Sequence, residues 1–282
     1  MPKITICADD FALSPGVSKA IVELVEKRRI SATSCMTLSP WWHEQAAWLR
    51  PLSDHIDIGV HLTLTDQRPL GEMPQLAPYG RFPNQQQLIR WCIGGKLNLS
   101  EIRDEFTRQI NAFEESFGRL PDYLDGHHHI HQLPSIRDTV LDIFLKRFKR
   151  DRAYIRCCWD APSNIIRRRL HVFRATAISL PGWQLRKKLR SNGIAFNRGF
   201  SGVHDFQGRL RFPALMQRFL IGQSDGGLIM CHPGYADSHL HNVDPVSSWR
   251  EQEFRGLMDE EMDRVFEEAG VTLCRLSETL NE

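Results

Sequence analysis

Two adjacent carboxylates, Asp9 and Asp10, follow the apolar run at residues 4–8. Side by side in a partly buried site they repel each other unless one is protonated or a cation lies between them. A divalent metal resolves the conflict: Asp10 binds the ion while Asp9 stays free to accept a proton. His61 and one histidine of the run His127-His128-His129-Ile130-His131 would complete a facial set of three protein ligands. Such a set leaves positions open for water and substrate, which marks a catalytic rather than a structural site. Water activated there becomes a nucleophile near neutral pH. His127, His129 and His131 would share one face of an extended segment, with His128 on the other, so spacing does not choose the ligand. His232, ending an apolar run and followed by Pro233 and Gly234, is suited to act as a general acid or to steady an oxyanion. Taken singly, an Asp after a strand is more often a cap or turn residue, and a lone His a satisfied polar group. Four such occurrences at strand ends are much harder to explain that way.

These residues need elements that bring them together. Residues 4–8 have the composition of a fully buried strand. Ser14 and Pro15 then open a helix with a capping hydroxyl and a proline at its first position, and Val17, Ala20, Ile21, Leu24 and Val25 fall on one face. The pattern recurs. Strands are expected at 32–38 and 56–64, the second carrying His61, with a helix at 42–49 between them. A long helix runs from Ser100 to Gly118 with Ile102, Phe106, Ile110, Phe113 and Phe117 inward. A short strand at 123–125 delivers Asp125, Gly126 and the histidine run, and Pro134 and Ser135 begin another helix. Residues 154–158, 194–197, 227–231 and 271–276 are further strands. Alternation of this kind predicts an α/β fold with a parallel sheet. Seven to eight units in 282 residues predict a single distorted (β/α) barrel, TIM-barrel-like, over residues 1–282. The carboxyl ends of barrel strands share one face, where Asp9, Asp10, His61, His127 and His232 would converge. Residues 66–87, rich in Gly, Pro and Gln, read as a long surface loop able to overhang that face.

Composition narrows the class. Apolar residues at 41% and charged residues at 25% are ordinary globular usage, which argues against disorder or a coiled coil. A formal charge of +2 predicts neither a nucleic-acid partner nor an anionic membrane. No stretch approaches the roughly 20 apolar residues that cross a bilayer. The first ten residues are too short and too acidic for a secretory signal, so a soluble, cytoplasmic protein is expected. Seven cysteines without a CxxC pair read as reduced, buried hydrophobes rather than disulfides or zinc thiolates. Arg167, Arg168, Arg169, Arg186, Lys187, Lys188 and Arg190 read as solvated helix faces.

Four segments together resemble the YdjC-like carbohydrate deacetylases, a family related to the NodB-like polysaccharide deacetylases. They are Ala8-Asp9-Asp10-Phe11-Ala12-Leu13-Ser14, Gly59-Val60-His61-Leu62-Thr63-Leu64-Thr65, Leu124-Asp125-Gly126-His127-His128-His129-Ile130-His131 and Met230-Cys231-His232-Pro233-Gly234. They occur in the family's order across nearly the whole chain. The resemblance implies Asp9 as general base, Asp10, His61 and His127 as ligands of one divalent ion with magnesium and zinc foremost, and His232 as the acid that protonates a leaving amine. It implies an N-acetylated sugar or glycoconjugate as substrate and acetate as product. Two departures stand out. Ala12 replaces the family's usual glycine, which asks whether that position needs a positive φ. Gly126 replaces the serine common in chitooligosaccharide-specific members. Residues 197–206 are expected to form a substrate-side loop. Trp41, Trp42 and Trp48 are candidates for stacking on sugar rings or for a homodimer contact, though core burial is the commoner fate. Competing readings are a metal-dependent phosphoesterase using the 165–198 arginines, and a non-catalytic sugar-binding protein on the same barrel.

Overall fold

The computed structural model describes residues 1–149, 152–206, 208–244 and 246–280. Strands and helices alternate from β1 (Lys3–Phe11) and α1 (Pro15–Glu26) through β2 (Ala32–Cys35), α2 (Trp42–Leu49), β3 (Asp57–Leu62), α3 (Gln85–Ile93) and α4 (Leu99–Phe117) to β4 (Tyr123–Gly126). They continue through α5 (Ile136–Arg147), β5 (Tyr154–Ile155), α6 (Pro162–Arg168), α7 (Val172–Ser191), β6 (Gly199–Ser201), α8 (Phe212–Leu220) and β7 (Gly227–Cys231). The chain then forms α9 (Ser238–Val243), α10 (Ser247–Met258), α11 (Glu261–Ala269), β8 (Thr272–Leu273) and α12 (Leu276–Thr279).

β1 is buried from Ile4 to Phe11, as a strand covered on both faces must be. It takes β2 on one side and β7 on the other, all parallel, in the order β5-β4-β3-β2-β1-β7-β6, with β8 beside the start of β1. The sheet curls until its two edges meet. Ile155 N–H donates to Ala195 O at 3.1 Å. Asn197 then stands in for ladder backbone: its side chain accepts from Cys157 N–H at 2.7 Å and donates to Cys157 O and Gly199 O at 2.8 Å. A distorted (β/α) barrel results.

Local chemistry explains the helix ends. Ser14 accepts from Val17 N–H with Pro15 in the first turn, as its sequence implied. The long helix α4 is capped by Asn98 rather than Ser100, because the Asn98 amide oxygen accepts from both Ser100 and Glu101 N–H, and Gly118 at φ 67° ends it. Trp42 packs flat against Phe113 and Phe117 and donates its indole N–H to Ala112 O, so it is core rather than a sugar platform. The cysteines are free, and six of the seven are buried. Among the described residues, no helix is long and apolar enough to cross a membrane.

Several expectations are corrected. The strand expected at 194–197 lies instead at Gly199–Ser201, inside the stretch read as a substrate loop; Ala195 makes a single bridge and Asn197 pairs through its side chain. Part of the 66–87 loop is helical, since Asn84 caps α3 by accepting from Gln87 N–H. The arginine segment is not wholly solvated either. Arg168 is buried and ion-paired to Asp160, and the Arg186 guanidinium lies 4.0 Å over the Trp159 ring.

Candidate active site

Residues that alternate along a strand point to opposite faces, so two consecutive aspartates reach one site only if the backbone departs from a regular strand. It does. The β1–β2 register shifts between Ala8 and Phe11, and Asp10 and Ala12 take left-handed φ values of 70° and 71°. Ala12 N–H is held by Ser18 Oγ at 2.9 Å. The positive φ is thus a property of this turn, and alanine bears it here.

Asp10 Oδ1 lies 3.0 Å from His127 Nδ1 and 3.3 Å from His61 Nε2, while its Oδ2 accepts from Arg250 at 2.7 Å. Arg250 is also held by Asp244 at 2.5 Å. His61 donates Nδ1–H to Asp125 Oδ1 at 2.7 Å, which leaves the Nε2 lone pair facing the Asp10 oxygen. Two acceptors facing each other need positive charge between them. Burial works against the His61 imidazolium, yet Asp125, Asp10 and Asp9 push its pKa up to about 10. A cation among Asp10, His61 and His127 would take the place of that proton, and one carboxylate with two imidazoles suits a divalent ion.

Asp9 faces the same cluster from a different partner. Arg156, wholly buried, donates to its two oxygens at 2.6 and 2.9 Å, and the same guanidinium reaches Asp125 Oδ2 at 3.0 Å. Burial alone would raise the Asp9 pKa, but Arg156, His61 and His232 reverse that and hold it well below the usual carboxylate range. Ser34 donates to Asp125 Oδ2 at 2.5 Å, so each oxygen of that carboxylate is occupied. His232 Nε2 stands 4.0 Å from Asp9 Oδ2. Burial lowers its pKa despite the nearby Glu253, Asp10 and Asp9 carboxylates.

The histidine run is a tight kinked turn, not an extended segment, with His128 and His129 in the left-handed region at φ 53° and 59°. The four rings therefore diverge instead of alternating. His127 meets Asp10. His128 lies against the stretch just after β3 and the start of α3, with Nδ1 3.0 Å from Thr65 Oγ1 and its carbonyl accepting from Gln85. His129 packs edge-on to Phe200, and His131 bonds the Arg156 carbonyl at 2.8 Å. A side-chain carbon at Gly126 would come within 3.0 to 3.1 Å of His131, so serine there would require that histidine to shift by a few tenths of an ångström.

The structure therefore brings Asp9, Asp10, His61, His127 and His232 to one rim. Arg156, Asp125, Arg250 and Glu253 surround them, and only Asp125 was noticed in the sequence, without a role. Arg156 did leave a signal, being a cation in the middle of the strand expected at 154–158, where a charge that becomes buried needs a partner. Arg250 and Glu253 left none, because a charged residue every few positions is ordinary on a helix. The basic residues of the 165–198 segment do not join this cluster.

The family model described as YdjC-like protein matches residues 3–268. A chitooligosaccharide deacetylase of Serratia marcescens is 37% identical over 142 residues, which is 50% of this chain and 55% of that protein, so the match spans about half of its length. A carbohydrate deacetylase of Geobacillus stearothermophilus is 28% identical over 280 residues, covering 99% of this chain and 98% of that one. The crystal structure of an Enterococcus faecalis V583 protein, whose suggested role is cellobiose-phosphate cleavage, superposes with a TM-score of 0.77 at 23% identity over 98% of both chains. That likeness speaks for the fold. Since the family match runs from Lys3 in β1 to Glu268 in α11 and contains every residue of the rim, this chain belongs to the YdjC-like family.

Proposed function

We propose that this protein is a metal-dependent hydrolase that removes the acetyl group from an N-acetylated sugar. The observation that carries this reading is the convergence of Asp10, His61 and His127 beside an ionised Asp9, with His232 across from it. The curated relatives named as deacetylases of chitooligosaccharides and carbohydrates point the same way. A bound divalent cation would supply Lewis-acid activation of water and of the acetyl carbonyl. Asp9, kept ionised and fixed by Arg156, accepts the proton of the attacking water. His232 gives a proton to the sugar nitrogen as the C–N bond breaks, so acetate and a free amine leave. Asp125 orients His61 by holding its Nδ1–H.

The test is acetate release from a panel of N-acetylated mono- and oligosaccharides, with chelated and metal-restored protein. Activity should vanish on chelation and return with zinc, magnesium or another divalent ion. Asp9→Asn should keep its metal while kcat falls by about 10²- to 10⁴-fold, the usual contribution of a positioned base. Near-normal turnover would remove Asp9 from that role. His61→Ala should lose metal, and an unchanged stoichiometry would reject it as a ligand. Phosphate release from model esters without acetate release would favour the phosphoesterase reading instead.

A further inference from the structure

His232 is the first residue beyond β7, and its ring has little that is polar to hold it. Nδ1 is buried with no partner among the described residues, and Nε2 is 4.0 Å from Asp9. Its backbone is held far more firmly. The His232 N–H donates to Glu253 Oε2 at 2.5 Å, and Glu253, on α10, is 2% exposed. The other oxygen of that carboxylate, Oε1, accepts from His204 Nε2 at 2.8 Å. The tautomer of His204 follows from its far side, where Nδ1 accepts the Phe206 N–H at 3.2 Å, so the proton sits on Nε2. Phe206 takes a left-handed φ of 55°, and its ring meets the His232 imidazole edge-on at 5.6 Å between centroids. Arg174 also holds this loop, its guanidinium 5.6 Å from the Phe206 ring centroid and its Nη1 donating to the His204 carbonyl at 3.3 Å.

One buried carboxylate thus fastens both the turn that bears the imidazole and the loop whose aromatic ring forms its wall. We propose that Glu253 is a positioning residue for His232, acting through its backbone N–H and through His204 and Phe206, and that it sets the geometry of proton delivery to the leaving nitrogen. This rests on the N-deacetylase reading above. Glu253 touches neither the metal ligands nor the reacting atoms. Its removal should therefore harm only reactions whose leaving group needs that proton.

The experiment compares wild type with Glu253→Gln, His204→Gln and His232→Ala on two substrates, an N-acetylated sugar and 4-nitrophenyl acetate. The phenolate of the second departs unprotonated. Glu253→Gln should lower kcat on the N-acetyl sugar by about 30-fold, less than the roughly 10²- to 10⁴-fold contribution of a general acid because the imidazole itself remains. KM and bound metal should stay near wild type, and the rate on the aryl ester should change by less than about threefold, the same split that His232→Ala shows more strongly. His204→Gln, whose amide N–H can reach the same carboxylate oxygen, should retain most of the activity. Equal losses on both substrates, or none on either, would overturn the proposal.

A second measurement stands apart from turnover and from the folding of any variant. In ¹⁵N-labelled wild type the His232 amide proton should resonate well downfield and exchange slowly, and His204 should show the neutral, Nε2-protonated tautomer. Ordinary shifts at both would reject the clamp. Wild type that releases no acetate from any N-acetylated sugar would defeat the deacetylase reading, while these spectra would still report on Glu253.

Discussion

Asp10 and Ala12 carry positive φ within one turn, and three effects of comparable size meet at Ala12. A left-handed backbone costs an L-residue about 1–2 kcal/mol. Glycine would remove that, yet lose about 0.5–1 kcal/mol to the freedom of the unfolded chain and about 0.8 kcal/mol for a buried methyl. Ala12→Gly should therefore shift stability by less than about 1 kcal/mol, whereas the β-branched Ala12→Val should cost more than about 2 kcal/mol. Urea unfolding of the two variants checks both, and a large gain from glycine would refute the balance. The five rim residues were legible because Asp and His at the ends of apolar runs have few structural uses in common. Their supporting charges were not, since Arg250 and Glu253 lie on a helix whose sequence looks like any half-exposed one.

Elements meet at Asp57, the first residue of β3, on the face of the barrel away from the rim. Its carboxylate accepts from Ser277 N–H at 3.0 Å, Ser277 Oγ at 2.5 Å and Tyr154 Oη at 3.1 Å, which docks the start of α12 onto β3 and β5. Burial lifts its pKa to about 6 despite those bonds. The native state thus binds this proton more tightly than the unfolded chain, whose Asp titrates near about 3.9. The stability tied to it is complete below about pH 4 and is lost as pH rises through about 6. Asp57→Asn keeps three hydrogen bonds, with Ser277 Oγ accepting instead of donating, and removes the buried charge. Its stability relative to wild type should climb from near zero at about pH 4 to about 2–3 kcal/mol at pH 8, given about 1.4 kcal/mol per pKa unit. A difference that does not vary with pH would rule this out. Such a bond could not be foreseen from sequence, because it joins residues far apart in the chain. Elements with strong local signals were foreseen: residues 42–49 and 227–231 match α2 and β7 residue for residue. β6 lies at 199–201 rather than 194–197 although the earlier stretch, Ile194-Ala195-Phe196-Asn197, is the more apolar of the two, because the pairing with β7 falls on Gly199, Phe200 and Ser201.

At the scale of the whole molecule, the barrel depends on how its last gap is bridged. Asn197 spans it with three hydrogen bonds from a side chain that is almost wholly enclosed. Asn197→Ala would leave Cys157 N–H and C=O buried and unpaired, and should cost about 2–4 kcal/mol, with faster amide exchange at Ile155 and Cys157 than at the β1 ladder. Unfolding curves and exchange rates test it, and an unaltered midpoint would show that the backbone bond at Ala195 suffices. The barrel architecture was readable from the alternation of periods, but this bridge was not, since nothing in the local sequence distinguishes an asparagine that replaces a strand from one that caps a turn. A cylinder closed by a clasp rather than a full seam has that clasp beside the candidate site, since Arg156, whose guanidinium holds Asp9, stands between Ile155 and Cys157, the two residues that the bridge fastens. A fault in this closure would therefore reach Asp9 through one neighbouring residue.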